Sequence, residues 1–207
     1  MTNDARFWDD AAAKYAASPV KDQQTYEYTL AETRKHLSTD DHILEVGCGT
    51  GSTALLLADA VATLTASDIS GEMIRIAQEK AKVKDVTNVD FVQATPSDPK
   101  LRSRSYDAVL GFNILHLLDD LPRDLKGLHD RLKPGGLLIS KTPCLGDWKY
   151  RFFARAAIPV MQFFGKAPYV SFLTGGELEA AIIAAGFEIA EADNHNTFSR
   201  FIVAKKR

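Results

Sequence analysis

Cysteine is scarce in this chain: Cys48 and Cys144 are the only two, in no metal-ligating spacing, so neither a disulfide framework nor a zinc site is expected. A basic surplus is missing too. With 25 Lys+Arg against 27 Asp+Glu the net charge is -2, which suits nucleic acid poorly because no excess of cations is available to displace phosphate counterions. No uninterrupted apolar run approaches the ~20 residues that span a bilayer. The opening residues MTNDARFWDD carry acids where a secretory signal places a basic and then an apolar stretch, so the expected location is the cytoplasm. Internal repeats and low-complexity tracts are likewise lacking. What is present is ordinary for a globular protein: 45% apolar and 25% charged residues over 207 positions. A chain of this length buries roughly 70% of its unfolded surface, enough for a single domain over residues 1–207.

From His42 to Lys141 short β-branched runs alternate with helical patterns, which predicts β-α units and a doubly wound, mostly parallel sheet. The expected strands are His42–Val46, Thr63–Asp68, Val89–Gln93, Tyr106–Phe112 and Gly136–Thr142. Met73, Ile74, Ala77 and Ala81 share one face of a helix between the second and third strands. Leu121, Leu125, Leu128 and Leu132 mark another, with Pro122 in its first turn and Lys133-Pro134-Gly135-Gly136 as its stop. Thr174 and Glu177 form a capping box before a last helix that Gly186 closes. Two further strands follow, Phe187–Ala192 and Phe198–Ala204, joined through the polar residues 193–197. An antiparallel hairpin ending a parallel sheet is unusual. Residues 1–40 read as a helical cap with Phe7, Trp8, Tyr15, Tyr26, Tyr28 and Leu30 as its buried candidates.

Chemistry is signalled most strongly by Ile43-Leu44-Glu45-Val46-Gly47-Cys48-Gly49-Thr50-Gly51, a buried strand running into a glycine-rich turn. Alternate glycines let the backbone turn without a Cβ, so a ligand can approach the main chain closely. Such a turn also presents N–H groups at a helix start, suited to an anion or a polar nucleoside. Asp68, 21 residues after Gly47, falls at the end of the next strand, within reach of a ribose diol. Taken together, loop and acid specify a nucleoside-containing cofactor. A dinucleotide-dependent oxidoreductase shares both features and stays open on these residues alone.

The pattern resembles the class I S-adenosylmethionine-dependent methyltransferases. Glu45 through Gly51 looks like that family's first motif, followed in its order by Asp68, Phe91-Val92-Gln93-Ala94-Thr95, Tyr106-Asp107-Ala108-Val109-Leu110 and Leu132-Lys133-Pro134-Gly135-Gly136. Phe7-Trp8-Asp9 with Ala12 and Tyr15 is similar to the opening of small-molecule methyltransferases of the quinone-biosynthesis type. The resemblance implies a Rossmann-like seven-stranded sheet with one reversed strand, S-adenosylmethionine as cofactor and a small-molecule acceptor. It implies that Gly47, Cys48, Gly49 and Gly51 wall the methionine part, that Glu45 accepts hydrogen bonds near the amino group, and that Asp68 holds both ribose hydroxyls. Ile69 and Met73 would lie against the adenine, Ala94 and Thr95 near its edge, and Asn113 toward the sulfonium. Thr95 stands where the family commonly has Asp, a departure that touches the adenine contacts.

His116, after the fourth strand, is the candidate general base, with a satisfied core histidine as its plainer reading. Cys48 is explained by the small size its loop requires, and His195 by a solvated turn. Residues 144–172 hold eight of the nineteen aromatics, including Trp148, Tyr150 and Phe152, and read either as packing or dimer surface or as a substrate lid. Between 141 and 172 five cations face the single acid Asp147, a mixture that fits an anionic lipophilic substrate or an acidic membrane surface. A bulky apolar acceptor is the preferred of these. Against the oxidoreductase stands the absence of a following Tyr-x-x-x-Lys pair, and against nucleic-acid amino methylation the run Asn113-Ile114-Leu115 where Asn-Pro-Pro-aromatic is expected. A non-catalytic S-adenosylmethionine-binding module is the remaining alternative, motivated by Thr95 and the lack of an obvious base. No motif specifies the acceptor atom or the oligomeric state.

Overall fold

The computed structural model describes residues 3–101, 105–147, 149, 151–163, 165–194 and 199–207. Seven strands form one sheet: β1 (His42–Val46), β2 (Thr63–Asp68), β3 (Val89–Gln93), β4 (Tyr106–Phe112), β5 (Leu132–Pro143), β6 (Phe187–Asn194) and β7 (Ser199–Lys206). Their order is β3-β2-β1-β4-β5-β7-β6, and β7 alone runs antiparallel to its neighbours. The order reverses at β1, so β2 and β4 flank it and diverging connections leave a crevice at its carboxyl end.

Side chains alternate across the sheet and divide the core between two faces. Leu44, Val46, Val109 and Leu138 pack toward α5 (Leu121–Arg131) and α7 (Gly175–Ala184). Ile43, Leu64, Ala108 and Ile139 pack on the other face with α3 (Ser52–Leu57) and α4 (Gly71–Val83). The helix starts are capped as their residue types dictate: Ser70 accepts the Met73 amide, Asp120 the Arg123 amide, and Thr174 and Glu177 complete the reciprocal box. The remaining helices are α1 (Asn3–Ala17), α2 (Gln23–Arg34) and α6 (Arg151–Phe163).

Three expectations are corrected. β5 begins at Leu132 rather than Gly136: Tyr106 pairs with Leu132 and Ala108 with Leu137, a register shift that absorbs the Lys133–Gly136 turn, with Gly135 at φ +76°. β6 continues through Asn194 because Asp193 and Asn194 pair with Phe201 and Arg200; His195 and Phe198 lie outside the described residues. In the cap, none of the expected aromatics is fully buried, and Tyr15 (55%) and Tyr28 (46%) are exposed. The buried residues there are Ala5, Ala12, Thr29 and Thr33. The reason is in the attachment. Asp9 of α1 accepts the Ser70 hydroxyl at 2.6 Å and the Glu72 amide at 3.1 Å, pinning α1 on the start of α4, while Tyr26 meets Thr53 at 3.1 Å and Arg34 pairs with Asp59 at 2.7 Å. The cap is thus held at its edges, and a cavity remains beneath it.

Candidate active site

β1 ends in Glu45 and Val46, and the chain then turns through Gly47, Gly49 and Gly51 at φ +67°, +53° and +74°. The two outer glycines are required by packing. A Cβ on Gly47 would stand 2.6 Å from Ile114, and one on Gly51 would stand 2.7 Å from Phe91 and 2.8 Å from Ala77. Gly49 differs, since its nearest neighbour in that direction is the Tyr15 ring at 3.7 Å, across the cavity.

The amides of this turn are largely spent inside the fold. Cys48 N–H donates to Ser67 O, Gly51 N–H to Cys48 O, and Gly49 N–H to Asp68 Oδ2 at 2.9 Å. The Ala54 amide, in the first turn of α3, is bonded to the Glu45 carboxylate. Of the N–H groups expected to face an anion or a polar nucleoside, those of Gly49 and Ala54 are taken up by two buried carboxyls. Asp68 Oδ1 accepts the Ser70 amide at 2.9 Å, and burial raises this carboxyl above its ordinary value despite those bonds. Glu45 is 2% exposed, and its Oε2 has no partner among the described residues. Burial, and then the Asp68 charge, push its pKa up to about 8. A carboxyl kept neutral at pH 7 beside a second one, with one oxygen orphaned in a cavity wall, is a site awaiting a cation or a donor.

The cavity measures about 900 Å³. Of the proposed cofactor residues Glu45, Gly47, Cys48, Gly49, Asp68, Ile69, Met73, Ala94, Thr95 and Asn113 line it, and Gly51 does not, because its open side is filled by Phe91 and Ala77. The Cys48 thiol is buried and raised well above its ordinary value, consistent with packing. Asn113, at φ +56°, is held by a 2.7 Å bond from its amide to Lys141 O. Tyr15 lines the cavity from the cap, its phenol raised by burial and by Asp68 and Glu45.

His116 does not reach the wall. The residue is half-buried, its Nδ1 is buried with no partner among the described residues, and burial lowers its pKa to about 4. Phe152 points outward on α6 at 72% exposed, and Trp148 and Tyr150 lie outside the described residues. Three groups have roles that sequence reasoning did not assign. Asp9 ties the cap to α4. Arg131 is 6% exposed and donates to the carbonyls of Pro96, Asp98 and Leu101 at 2.8, 2.7 and 3.0 Å, shaping the loop that carries Thr95. Lys141, at the end of β5, lines the cavity half-buried, and burial lowers its pKa. Nothing at helical or strand spacing marks Asp9 or Arg131; Lys141 was visible as a cation at a strand's carboxyl end.

Residues 43–136, from β1 into the start of β5, match the family described as Methyltransferase domain. Over those residues, a little under half of its length, the chain is similar to that family. A demethylmenaquinone methyltransferase of Listeria welshimeri is 29% identical over 136 residues, covering 61% of this chain and 57% of that protein. The chain thus spans somewhat less than three fifths of the length of that relative. Solved structures place the chain in the same fold. A chain in the complex between the Haloferax volcanii Trm112 methyltransferase activator and a putative methyltransferase superposes with TM-score 0.76 at 18% identity, covering 96% of each chain. A SAM-dependent methyltransferase from Methanosarcina mazei gives 0.70 at 23% identity, covering 84% of this chain and 96% of that one. The residues present fit S-adenosylmethionine: its ammonium would answer the orphaned oxygen of Glu45, and its ribose diol the second lone pairs of Asp68.

Proposed function

We propose that the protein transfers a methyl group from S-adenosylmethionine to a small, apolar or aromatic acceptor. The observation that carries this reading is the pair of buried carboxyls, Glu45 and Asp68, which take up the amides of Ala54 and Gly49 at the glycine turn. A pyrophosphate brought to that turn would meet the buried acids Glu45 and Asp68, which weighs against a nicotinamide dinucleotide. A cationic nucleoside meets the reverse.

When bound, S-adenosylmethionine supplies a methyl group already activated on a sulfonium, so the protein has mainly to orient, to exclude water and to manage one proton. Asp68 holds the ribose, Glu45 takes the amino group, and Ile69 and Met73 flank the adenine, with Thr95 and the Ala94 backbone at its edge. Asn113 and Ile114 close on the reacting end from the strained turn after β4. Trp8, Leu30, Phe112 and Leu117 give the cavity an apolar stretch of wall among its charged residues, which supports an apolar or aromatic acceptor; the demethylmenaquinone methyltransferase likeness supports the same class. His116 is too poor a base at a pKa of about 4, and it stands off the wall. Lys141 is a half-buried cation on the cavity wall, suited to hold an acceptor's ionising oxygen.

The test is paired. Calorimetric titration with S-adenosylmethionine and with NADH is expected to show saturable binding of the first alone, followed by S-adenosylhomocysteine release when lipophilic phenols or quinols are supplied. Binding of NADH in preference would overturn the cofactor reading. Binding without turnover over a broad acceptor panel would favour a non-catalytic module.

A further inference from the structure

We propose that α6 docks the protein on an anionic lipid surface beside the mouth of the cavity. Of this thirteen-residue helix only Ala154 is buried. Phe152, Ala156 and Val160 repeat at i, i+4 and i+8, with Phe163 at i+11, so they form one stripe, and Phe153 widens it. That stripe faces solvent: Phe163 is 85% exposed, Phe153 76%, Phe152 72% and Val160 58%. Four large apolar side chains on one helix face are an interaction surface, since scattered exposure would need no explanation and a contiguous patch does.

Its borders decide the occupant. Arg151 and Arg155 border one side of the stripe, Lys149 and Lys166 stand just before and after the helix, and Asp147, the one acid of that stretch, is engaged by the Gly175 amide at 2.8 Å. The Arg151 guanidinium lies 4.8 Å from the Phe152 ring centroid, and that of Arg155 lies 5.5 Å from the centroid of Phe172, so cationic heads sit over aromatic bodies as they do at a water–lipid boundary. A second copy packed through this face about a two-fold axis would bring like charges together. An anionic headgroup layer meets the same cations favourably, and each is worth about 1 kcal/mol near such a surface. At roughly 20 Å the helix is too short to cross a bilayer and long enough to lie in its interface.

The helix also stands beside the entrance. The chain leaving α6 turns back with Gln162 Nε2 bonded to Pro168 O at 2.8 Å, then passes Tyr169, whose amide donates to Asp4 at 3.1 Å, and Ser171, whose amide donates to His116 O at 2.7 Å. Pro168 and Asp4 both line the cavity. Docking through α6 would therefore hold the mouth at the lipid surface, where an apolar acceptor dissolves. Only this use of the surface rests on the methyl-transfer reading; the docking does not.

The experiment is co-sedimentation of the full chain with phosphatidylcholine vesicles, with and without an equal share of phosphatidylglycerol, at low and high salt. Pelleting with the anionic vesicles, reversed by salt and about tenfold weaker without phosphatidylglycerol, is expected. The double variant Phe153→Asp, Phe163→Asp should lose that binding about tenfold or more while its S-adenosylmethionine titration stays unchanged, which also shows that it folds. Equal pelleting with and without anionic vesicles, or full binding by the double variant, overturns the proposal. So does a dimer in light scattering that the double variant dissolves while vesicles bind neither protein. Vesicle binding with no methyl transfer to any acceptor leaves the docking standing and removes the function proposed above.

Discussion

On the sheet side of the cavity the Gly49 amide, both oxygens of Asp68 and the Ala54 amide are locked in bonds, and the Pro96–Leu101 loop hangs from one buried guanidinium. On the cap side Trp8, Tyr15 and Leu30 lie half-buried or exposed, and α1 is tied to the start of α4 through one carboxylate, Asp9, and to Tyr169 through another, Asp4. The first wall is backbone held by three buried side chains, the carboxyls of Glu45 and Asp68 and the guanidinium of Arg131. The second is side chains over open space, where acceptor choice is set by size and polarity. Breaking the first should therefore cost stability or cofactor affinity outright, whereas changes in the second should be small in both.

The largest effect is expected at Arg131. Arg131→Met leaves three carbonyls buried without a donor, and unpaired buried acceptors cost about 1–3 kcal/mol each before any relaxation. A loss of about 3 kcal/mol in urea unfolding is predicted, with weakened cofactor binding through the Thr95 loop. A loss under about 1 kcal/mol would show that water replaces the guanidinium and that the loop is not hung from it.

Next in size is Asp68→Ala, which removes the acceptor of the Gly49 and Ser70 amides together with the proposed ribose contact. Cofactor affinity should fall at least about tenfold by calorimetry, a change of about 1.4 kcal/mol. Asp68→Asn, which keeps an acceptor oxygen, should lose less. Unchanged affinity in both rejects the ribose assignment.

Glu45 sharpens the comparison through pH. Its folded pKa, about 8, lies above the ordinary 4.5, so the folded chain holds this proton more tightly than the unfolded one does. The stability it contributes is complete below pH 4.5 and is lost as pH rises toward 8; Asp68, also raised, adds in the same sense. Glu45→Gln should flatten that decline in thermal melts of the cofactor-free protein. An ammonium bound beside Glu45 reverses the balance and expels the proton. Calorimetry at pH 7 in two buffers of different ionisation enthalpy should report release of close to one proton, abolished in Glu45→Gln. A buffer-independent enthalpy in the parent would place the amino group elsewhere.

The same contrast explains what was legible in advance. β1 to β4 were readable to the residue because buried parallel strands are apolar runs stopped by glycine and acid, a property of the local chain. Residue types at the glycine turn and at Asp68 likewise declare a nucleoside site. Asp9 and Arg131 were hidden: an acid in α1 and an arginine in the last turn of α5 read as solvated charges, and only tertiary structure brings the α4 amides to one and the loop carbonyls to the other. His116 failed for the converse reason. Its position after β4 is right for a substrate-facing group, but the short turn at Leu115–Leu117 directs the ring into the protein while Leu117 takes the wall. Aromatic count exposed the weight of α6 but not its outward orientation, since a helix turned by half a revolution has the same composition.

Asp9→Ala and Tyr15→Phe mark the small end of the series. Asp9→Ala removes two bonds at the α4 start and should cost about 1 kcal/mol, detached from any change in the cofactor wall. Tyr15→Phe should leave stability within about 0.5 kcal/mol, because its ring is more than half exposed and only its edge covers Gly49. Tyr15→Ala uncovers that glycine and admits water beside Glu45 and Asp68, whose charges already face the phenol. Several-fold weaker cofactor binding is then expected for the alanine variant and none for the phenylalanine one, a split that assigns Tyr15 a covering role through its ring. If the two variants lose affinity equally, the hydroxyl itself touches the cofactor, and the cap side would share in the polar recognition that now falls to β1 and β2.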